Sequence, residues 1–195
     1  YTRWLQFAVF TPILRPHGSG IPSEPVYFSE KTQEIVRNYM KIRYAMLPYN
    51  YTLAYQNATT GMPLMRPLFY PYPNDTLAVA VEDEYMWGEN LLVAPVIKKG
   101  LSSRSIYLPD GKWYDFHNGN EYPGKTRMDF PLTIDDIPVF AKAGSFIPMT
   151  KALTSTDYYN GANYVVRYYP EGKSTFVQYE DDGLNNKSLK EGKFE

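Results

Sequence analysis

The sequence has no cysteine, so its 195 residues can form no disulfide, thiol nucleophile or cysteine-held metal site. Its apolar runs are short. LLVAPVI at 91–97 is among the longest, well below the roughly 20 residues a membrane-spanning helix needs. An excess of one charge is also missing: 20 Lys and Arg meet 21 Asp and Glu, for a net charge of −1. Neither nucleic acid nor an anionic membrane is therefore an expected partner. Absent too are the phosphate loops GxGxxG and GxxxxGK[ST], the HExxH zinc pair and the GxSxG nucleophile elbow. No metal and no cofactor is expected.

What is present is aromatic. Nineteen Tyr, ten Phe and three Trp suit sugar stacking, yet core packing is the commoner use of such rings. The chain opens mid-pattern at YTRWLQF and ends at EGKFE as if inside a strand. It reads as a piece of a longer protein, and no compartment is assigned from it. The sequons at Asn50, Asn57, Asn74 and Asn186 permit glycosylation without arguing for it.

Thr2 is placed to cap a short buried helix, TRWLQFAVF, which Pro12 ends. PILR then reads as a strand, followed by a loop holding Gly18, Gly20, Pro22 and Pro25. Ser29 suits the N-cap of a long helix. Ile35, Tyr39, Ile42 and Met46 give that helix one apolar stripe, Pro48 should kink it and Gly61 should end it. MPLMRPLFY repeats the apolar-apolar-Arg-Pro step of ILRPH. Strand, helix, strand is the parallel crossover unit, and its spacing suits a (β/α)₈ barrel or a doubly wound sheet. From about residue 89 short strand candidates alternate with turns such as PDG at 109–111, the pattern of an antiparallel β-sandwich. A hairpin through Pro170-Glu171-Gly172 is expected at 162–183.

Alternation along a strand puts Ile13, Arg15 and His17 on one face. In a barrel His17 would then lie at the functional C-terminal rim, with Arg15 below it, buried and in need of a carboxylate. From the residues alone, His17 either touches a substrate or caps a helix or backbone carbonyl. Arg66 is expected to brace strands, and His117 to be solvated in a polar turn. Three carboxylate groupings are read as structural, because sequence neighbours rarely straddle a scissile bond. They are Glu82-Asp83-Glu84 (a solvated helix entry), Asp135-Asp136 and Asp181-Asp182-Gly183 (a turn).

RWLQFAVFTPILRPHG, IRYAMLPYNYTLAY, GMPLMRPLF, MWGENLLVAPV, LPDGKWYDF and YEDDG together resemble the C-terminal portion of glycoside hydrolase family 31, the α-glucosidases, α-xylosidases and their relatives. The resemblance implies a mixed α and β fold. The last strand-helix-strand part of a (β/α)₈ barrel would occupy residues 1–88, with strands at 11–17 and 62–69. A proximal β-sandwich would follow at 89–162, and the start of a distal β-domain at 163–195. It implies a piece of a retaining α-glycosidase, of the α-glucosidase type, acting on α-linked oligosaccharides. The family's catalytic aspartates would lie upstream, so no catalytic residue is carried here and the piece alone should be inactive. His17 matches the histidine of the family's Arg-x-His motif, which binds sugar hydroxyls in the −1 subsite, and Arg15 would support it. The expected partners are the oligosaccharide and the remainder of the same barrel. The alternative is a non-catalytic carbohydrate-binding or structural β-module, with Trp87 and Trp113 exposed as sugar platforms.

Overall fold

The structure, a computed structural model, describes residues 1–184. Four helices form: α1 (Thr2–Ala8), α2 (Glu30–Ala45), α3 (Leu47–Thr60) and the short α4 (Thr76–Val79). Helix α2 starts as its sequence implies, with Ser29 Oγ accepting from Thr32 N. Gly61 ends α3 at φ +75°, the left-handed turn that glycine takes without a Cβ penalty. Two details differ from expectation. Thr2 does not cap α1, which has no side-chain cap. Its hydroxyl donates to Thr32 Oγ1 instead, tying α1 to α2. Pro48 separates two helices rather than kinking one. Met46, at φ −80° and ψ 8°, breaks the run, and Pro48 sits in the first turn of α3, where a missing amide costs nothing.

Ten strands follow: β1 (Met65–Pro67), β2 (Tyr85–Trp87), β3 (Leu91–Val93), β4 (Ser103–Leu108), β5 (Lys112–Asp115), β6 (Glu121–Pro123), β7 (Thr126–Pro131), β8 (Val139–Lys142), β9 (Phe146–Met149) and β10 (Val165–Tyr168). A central six-stranded sheet runs β1-β2-β3-β8-β5-β6, flanked by the ribbons β4-β7 and β9-β10. Every pairing is antiparallel.

Period-2 alternation gives this sheet two buried faces. Tyr85, Trp87, Leu91, Val93, Tyr114, Val139 and Ala141 join one core with Ile35, Tyr39, Met46, Tyr49 and Leu53 of the helices. Met86, Leu92, Trp113 and Phe140 point the other way, against Ile106, Leu108, Met128 and Phe130 of the β4-β7 ribbon. Helices, sheet and ribbon thus form three layers. The β-sandwich read from the sequence is there, with the helices covering its second face.

The two strands assigned to a parallel barrel are not found as such. Residues 11–17 form no strand, because no neighbouring strand among the described residues pairs with them. In the 62–69 segment, β1 pairs antiparallel with β2, Arg66 opposite Met86. Its backbone groups are satisfied by the nearest available partner. The hairpin expected at 162–183 also differs: β10 pairs with β9, and no strand follows it through residue 184. The strand expected at the end of the chain lies outside the described residues.

The helices are fastened to the sheet layer through the backbone of residues 133–137. Arg3 donates to Asp136 O at 2.7 Å and to Thr133 O at 2.5 Å. Gln6, buried, donates to Ile134 O and Asp135 O, both at 2.9 Å. Lys31 pairs with Asp135 at 2.5 Å. Ile137 N donates to the Tyr39 hydroxyl at 3.0 Å in the dry interior. Nearby, Tyr49 donates to Trp87 O at 2.9 Å. A Cβ added to Gly88 would fall 2.5 Å from that same hydroxyl, so the β2–β3 turn meets α3 too closely for any side chain. Tyr39→Phe should leave the Ile137 amide buried and unpaired, a cost of about 1–3 kcal/mol. Urea unfolding will measure it, and an unchanged midpoint would show that the bond does not hold the layers together.

Candidate functional site

The segment between α1 and α2 carries the site. Val9 and Phe10 are buried at its root, and the Tyr85 hydroxyl donates to Phe10 O at 2.7 Å. Arg43 of α2 then gathers the outgoing backbone, donating to Val9 O at 2.7 Å, Thr11 O at 2.5 Å and Pro12 O at 3.0 Å. Burial pulls the Arg43 guanidinium below its ordinary pKa, but arginine starts high enough to stay charged. Sequence reasoning missed this residue. Its signal was a cation on the helix lacking an i,i+4 acid, which is too common to single out.

Beyond this clamp the chain runs extended and exposed. Arg15 Nη2 lies 3.0 Å from His17 Nδ1. A guanidinium has no lone pair, so it donates and Nδ1 must accept, leaving the ring hydrogen on Nε2. The two side chains share a face as alternation requires, although no strand forms. Arg15 departs from expectation in its surroundings. It is exposed, and it makes no carboxylate pair among the described residues; His17 is its partner. With no strand alongside residues 11–17, nothing covers it. Pro16 stiffens the approach to His17. Gly18 then passes so close to Ile21 O (2.4 Å from an added Cβ) that only glycine fits the turn. Beside Arg15 lies an apolar cleft of about 170 Å³ lined by Trp4, Phe7, Ile13 and Leu14. Trp4 is 69% exposed and Ile13 79%.

The other candidates lie apart from this loop. Arg66 is buried on β1, donating to Pro63 O at 2.7 Å and pairing with Glu89 at 3.3 Å, a bracing role as read. His117 is exposed but more engaged than expected. Its Nε2 lies 3.1 Å from Ile137 O, and its ring packs edge-on against Tyr39. Asp135 and Asp136 serve the layer contact described above. Asp181 closes a turn, accepting from Tyr51 at 2.7 Å and from Gly183 N at 2.8 Å. Trp87 and Trp113 are 1% and 0% exposed, which removes them as sugar platforms; both face inward because alternation puts them in the two cores. Of the sequons, Asn50 accepts from Trp87 Nε1 at 2.9 Å, and Asn186 lies outside the described residues.

Glu84 corrects the reading of Glu82-Asp83-Glu84 as a solvated helix entry. Its side chain is 1% exposed, because it directly precedes β2 and turns toward the ribbon, where it meets Tyr107 N. Oε1 accepts from Tyr107 N at 2.9 Å and lies 3.7 Å from Arg104 Nη2, while Oε2 has no partner among the described residues. Arg104 binds Asp83 more closely, at 2.9 Å. Burial pushes the Glu84 carboxyl up to about 7, with the Tyr107 amide and then Arg104 opposing it.

Comparison with known proteins places this geometry. Residues 1–53 match the glycosyl hydrolases family 31 TIM-barrel domain. Residues 61–147 match the glycosyl hydrolase family 31 C-terminal domain. The class these define is the end of a family 31 TIM barrel leading into that family's C-terminal domain, which is β-rich and antiparallel here. The chain belongs to glycosyl hydrolase family 31. It is 34% identical to an α-xylosidase of Saccharolobus solfataricus over 94% of its own length and 25% of that protein. It is 37% identical to α-glucosidase 2 of Bacillus thermoamyloliquefaciens, over 93% of its length and 24% of that protein. The solved family 31 dextranase of Flavobacterium johnsoniae, complexed with glucose, superposes with a TM-score of 0.94 at 35% identity, covering 100% of this chain and 24% of that one. The chain thus spans about a quarter of the length of these relatives.

The Glu84 geometry generates a pH prediction. A carboxyl whose native pKa is raised from 4.5 to about 7 favours the folded state fully below the unfolded value. That contribution is lost as pH rises through about 7. Glu84→Gln should therefore gain stability relative to the parent chain between pH 5 and pH 8 in urea titrations. A difference that stays constant with pH would show that Glu84 does not titrate in this window.

Proposed function

We propose that this chain supplies the sugar-binding end of the barrel, and the domain that braces it, in a retaining α-glycosidase of the α-glucosidase type acting on α-linked oligosaccharides. The observation that carries the reading is the Arg15–His17 contact at 3.0 Å. It occupies Nδ1 and leaves an Nε2–H donor on an exposed loop. His17 donates that hydrogen to a hydroxyl of the sugar beside the scissile bond, and Arg15 holds the ring. A neutral donor suits a neutral ligand, and it leaves acid and nucleophile roles to carboxylates. Those two aspartates come from residues that precede Tyr1 in the longer protein.

In this reading the barrel end is shorter than the expected 1–88: residues 1–60 act as the barrel end and residues from Gly61, where the match to the C-terminal domain begins, as the supporting domain. The membership of β1 in the central sheet supports that division. Residues from about 163 open a further β-domain, in keeping with β10 joining only β9 among the described strands. The remainder of the barrel covers the apolar surface at Trp4 and Ile13, two large side chains that water otherwise meets.

Two measurements test the proposal. The 195-residue chain alone should release no p-nitrophenol from aryl α-glycosides, and turnover above buffer background would overturn the assignment of the catalytic aspartates. In the longer enzyme, His17→Ala should lower kcat/KM by about 2–4 kcal/mol, the scale of one lost transition-state donor. A value within twofold of the parent would remove His17 from the sugar site.

A further inference from the structure

A second cleft, of about 570 Å³, lies on the ribbon side of the central sheet and is lined by Tyr72, Asn74, Leu77, Tyr107, Asp110 and Lys125 among others. Tyr72 packs against the core between sheet and ribbon, whereas Leu14, beside the His17 loop, packs against the helix-side core. The two sites therefore sit on different layers.

The cleft's rim is built from two reverse turns pressed backbone to backbone. Gly124 N donates to Gly111 O at 2.7 Å, and a Cβ on Gly124 would fall 2.2 Å from Pro109 O. That packing fixes the next residue. Lys125 is held at φ +51°, alone among the described non-glycine residues in having a positive φ. Lysine has no local hydrogen bond to favour the left-handed region, as Asn or Asp would. Its ion pair with Asp110, at 3.1 Å, joins two side chains that are each 70% exposed, and such pairs stabilise little. Strain of this kind at the lip of a cleft points to use of the side chain it carries.

The hydrogen-bonding account of the cleft says what would fit. Asp75 is fully engaged: Oδ1 caps Leu77 and Ala78, and Oδ2 accepts from Tyr107 at 2.7 Å. The Asn74 amide and the Tyr72 hydroxyl make no hydrogen bond among the described residues. Burial holds that hydroxyl's pKa up at about 12, so it stays protonated. Asn74 and Tyr72, with the Lys125 ammonium and Asp110, offer donors and acceptors side by side, as vicinal hydroxyls require. The half-buried Tyr72 ring and the exposed Leu77 supply apolar contact. Two carboxylates against one ammonium disfavour an anion. We propose that this cleft binds a neutral oligosaccharide, separately from the His17 loop. The volume falls in the range of small-ligand sites.

Titration of the 195-residue chain with maltoheptaose and with isomaltotriose, followed by calorimetry, tests the assignment. Saturable binding to the parent chain is expected with at least one of the two. Lys125→Gly, which relieves the backbone, and Asn74→Ala, at an exposed turn, should each weaken it at least fivefold without lowering the melting temperature by more than a few degrees. Arg37→Ala, at an exposed position of α2 that lines neither site, should bind within twofold of the parent. Absence of saturable binding, unaltered affinity in both cleft variants, or loss of binding in His17→Ala would each overturn the proposal. Only the last would direct the sugar to the loop, so the cleft can fail while the His17 reading stands.

Discussion

The structure depends on one antiparallel sheet that must bury both of its faces. Each of β2, β3, β8 and β5 sends successive side chains to opposite cores, so neither the helices nor the β4-β7 ribbon can be removed without exposing a row of large apolar groups. At roughly 25 cal/mol per Å², such a row outweighs any single polar contact in the molecule. The polar contacts act differently. Tyr39 satisfies the Ile137 amide, which would otherwise be buried unpaired, while Arg3 and Gln6 gather the more exposed carbonyls at 133–136, and together they fix where the helix layer sits on the sheet.

That placement sets the loop carrying His17. Arg43 reaches three carbonyls from a helix whose position the sheet determines, and the chain leaves this clamp in one direction. The extended backbone beyond it lets side chains two residues apart meet, and Arg15 orients the imidazole. Each step is short-range, yet the sequence runs from core packing to the tautomer of one ring. The β-rich domain thus helps to place the His17 loop, and with it the proposed sugar contact.

Much of the layout was legible in the residues. Ser29 as a cap, Gly61 as a terminator, and the PDG turn at Gly111, with φ +118°, each reflect local backbone chemistry that the rest of the fold does not override. LLVAPVI and IPVFAKAG were legible as short strands, and β3 and β8 form within them. What failed was non-local. PILR and MPLMRPLF look alike in sequence, but a strand exists only where a partner lies beside it; the second found β2, and the first found none among the described residues. Glu84 looked solvated among acidic neighbours, because sequence does not show that the chain entering β2 carries it beneath the ribbon. Trp87 and Trp113 were sugar platforms only in the alternative reading, and strand register places both inside. For His17, the motif resemblance and the alternation rule indicated the residue and its neighbour, whereas Arg43 was invisible.

The central claim is that Arg15 holds His17 so that Nε2–H meets a sugar hydroxyl. A crystal structure of the longer enzyme with a bound sugar-shaped inhibitor tests it most directly. The account predicts Nε2 within about 3.2 Å of a sugar hydroxyl, with Nδ1 still on the Arg15 guanidinium. An occupied site with Nε2 facing solvent, or with the sugar on Nδ1 and Arg15 turned away, would contradict it.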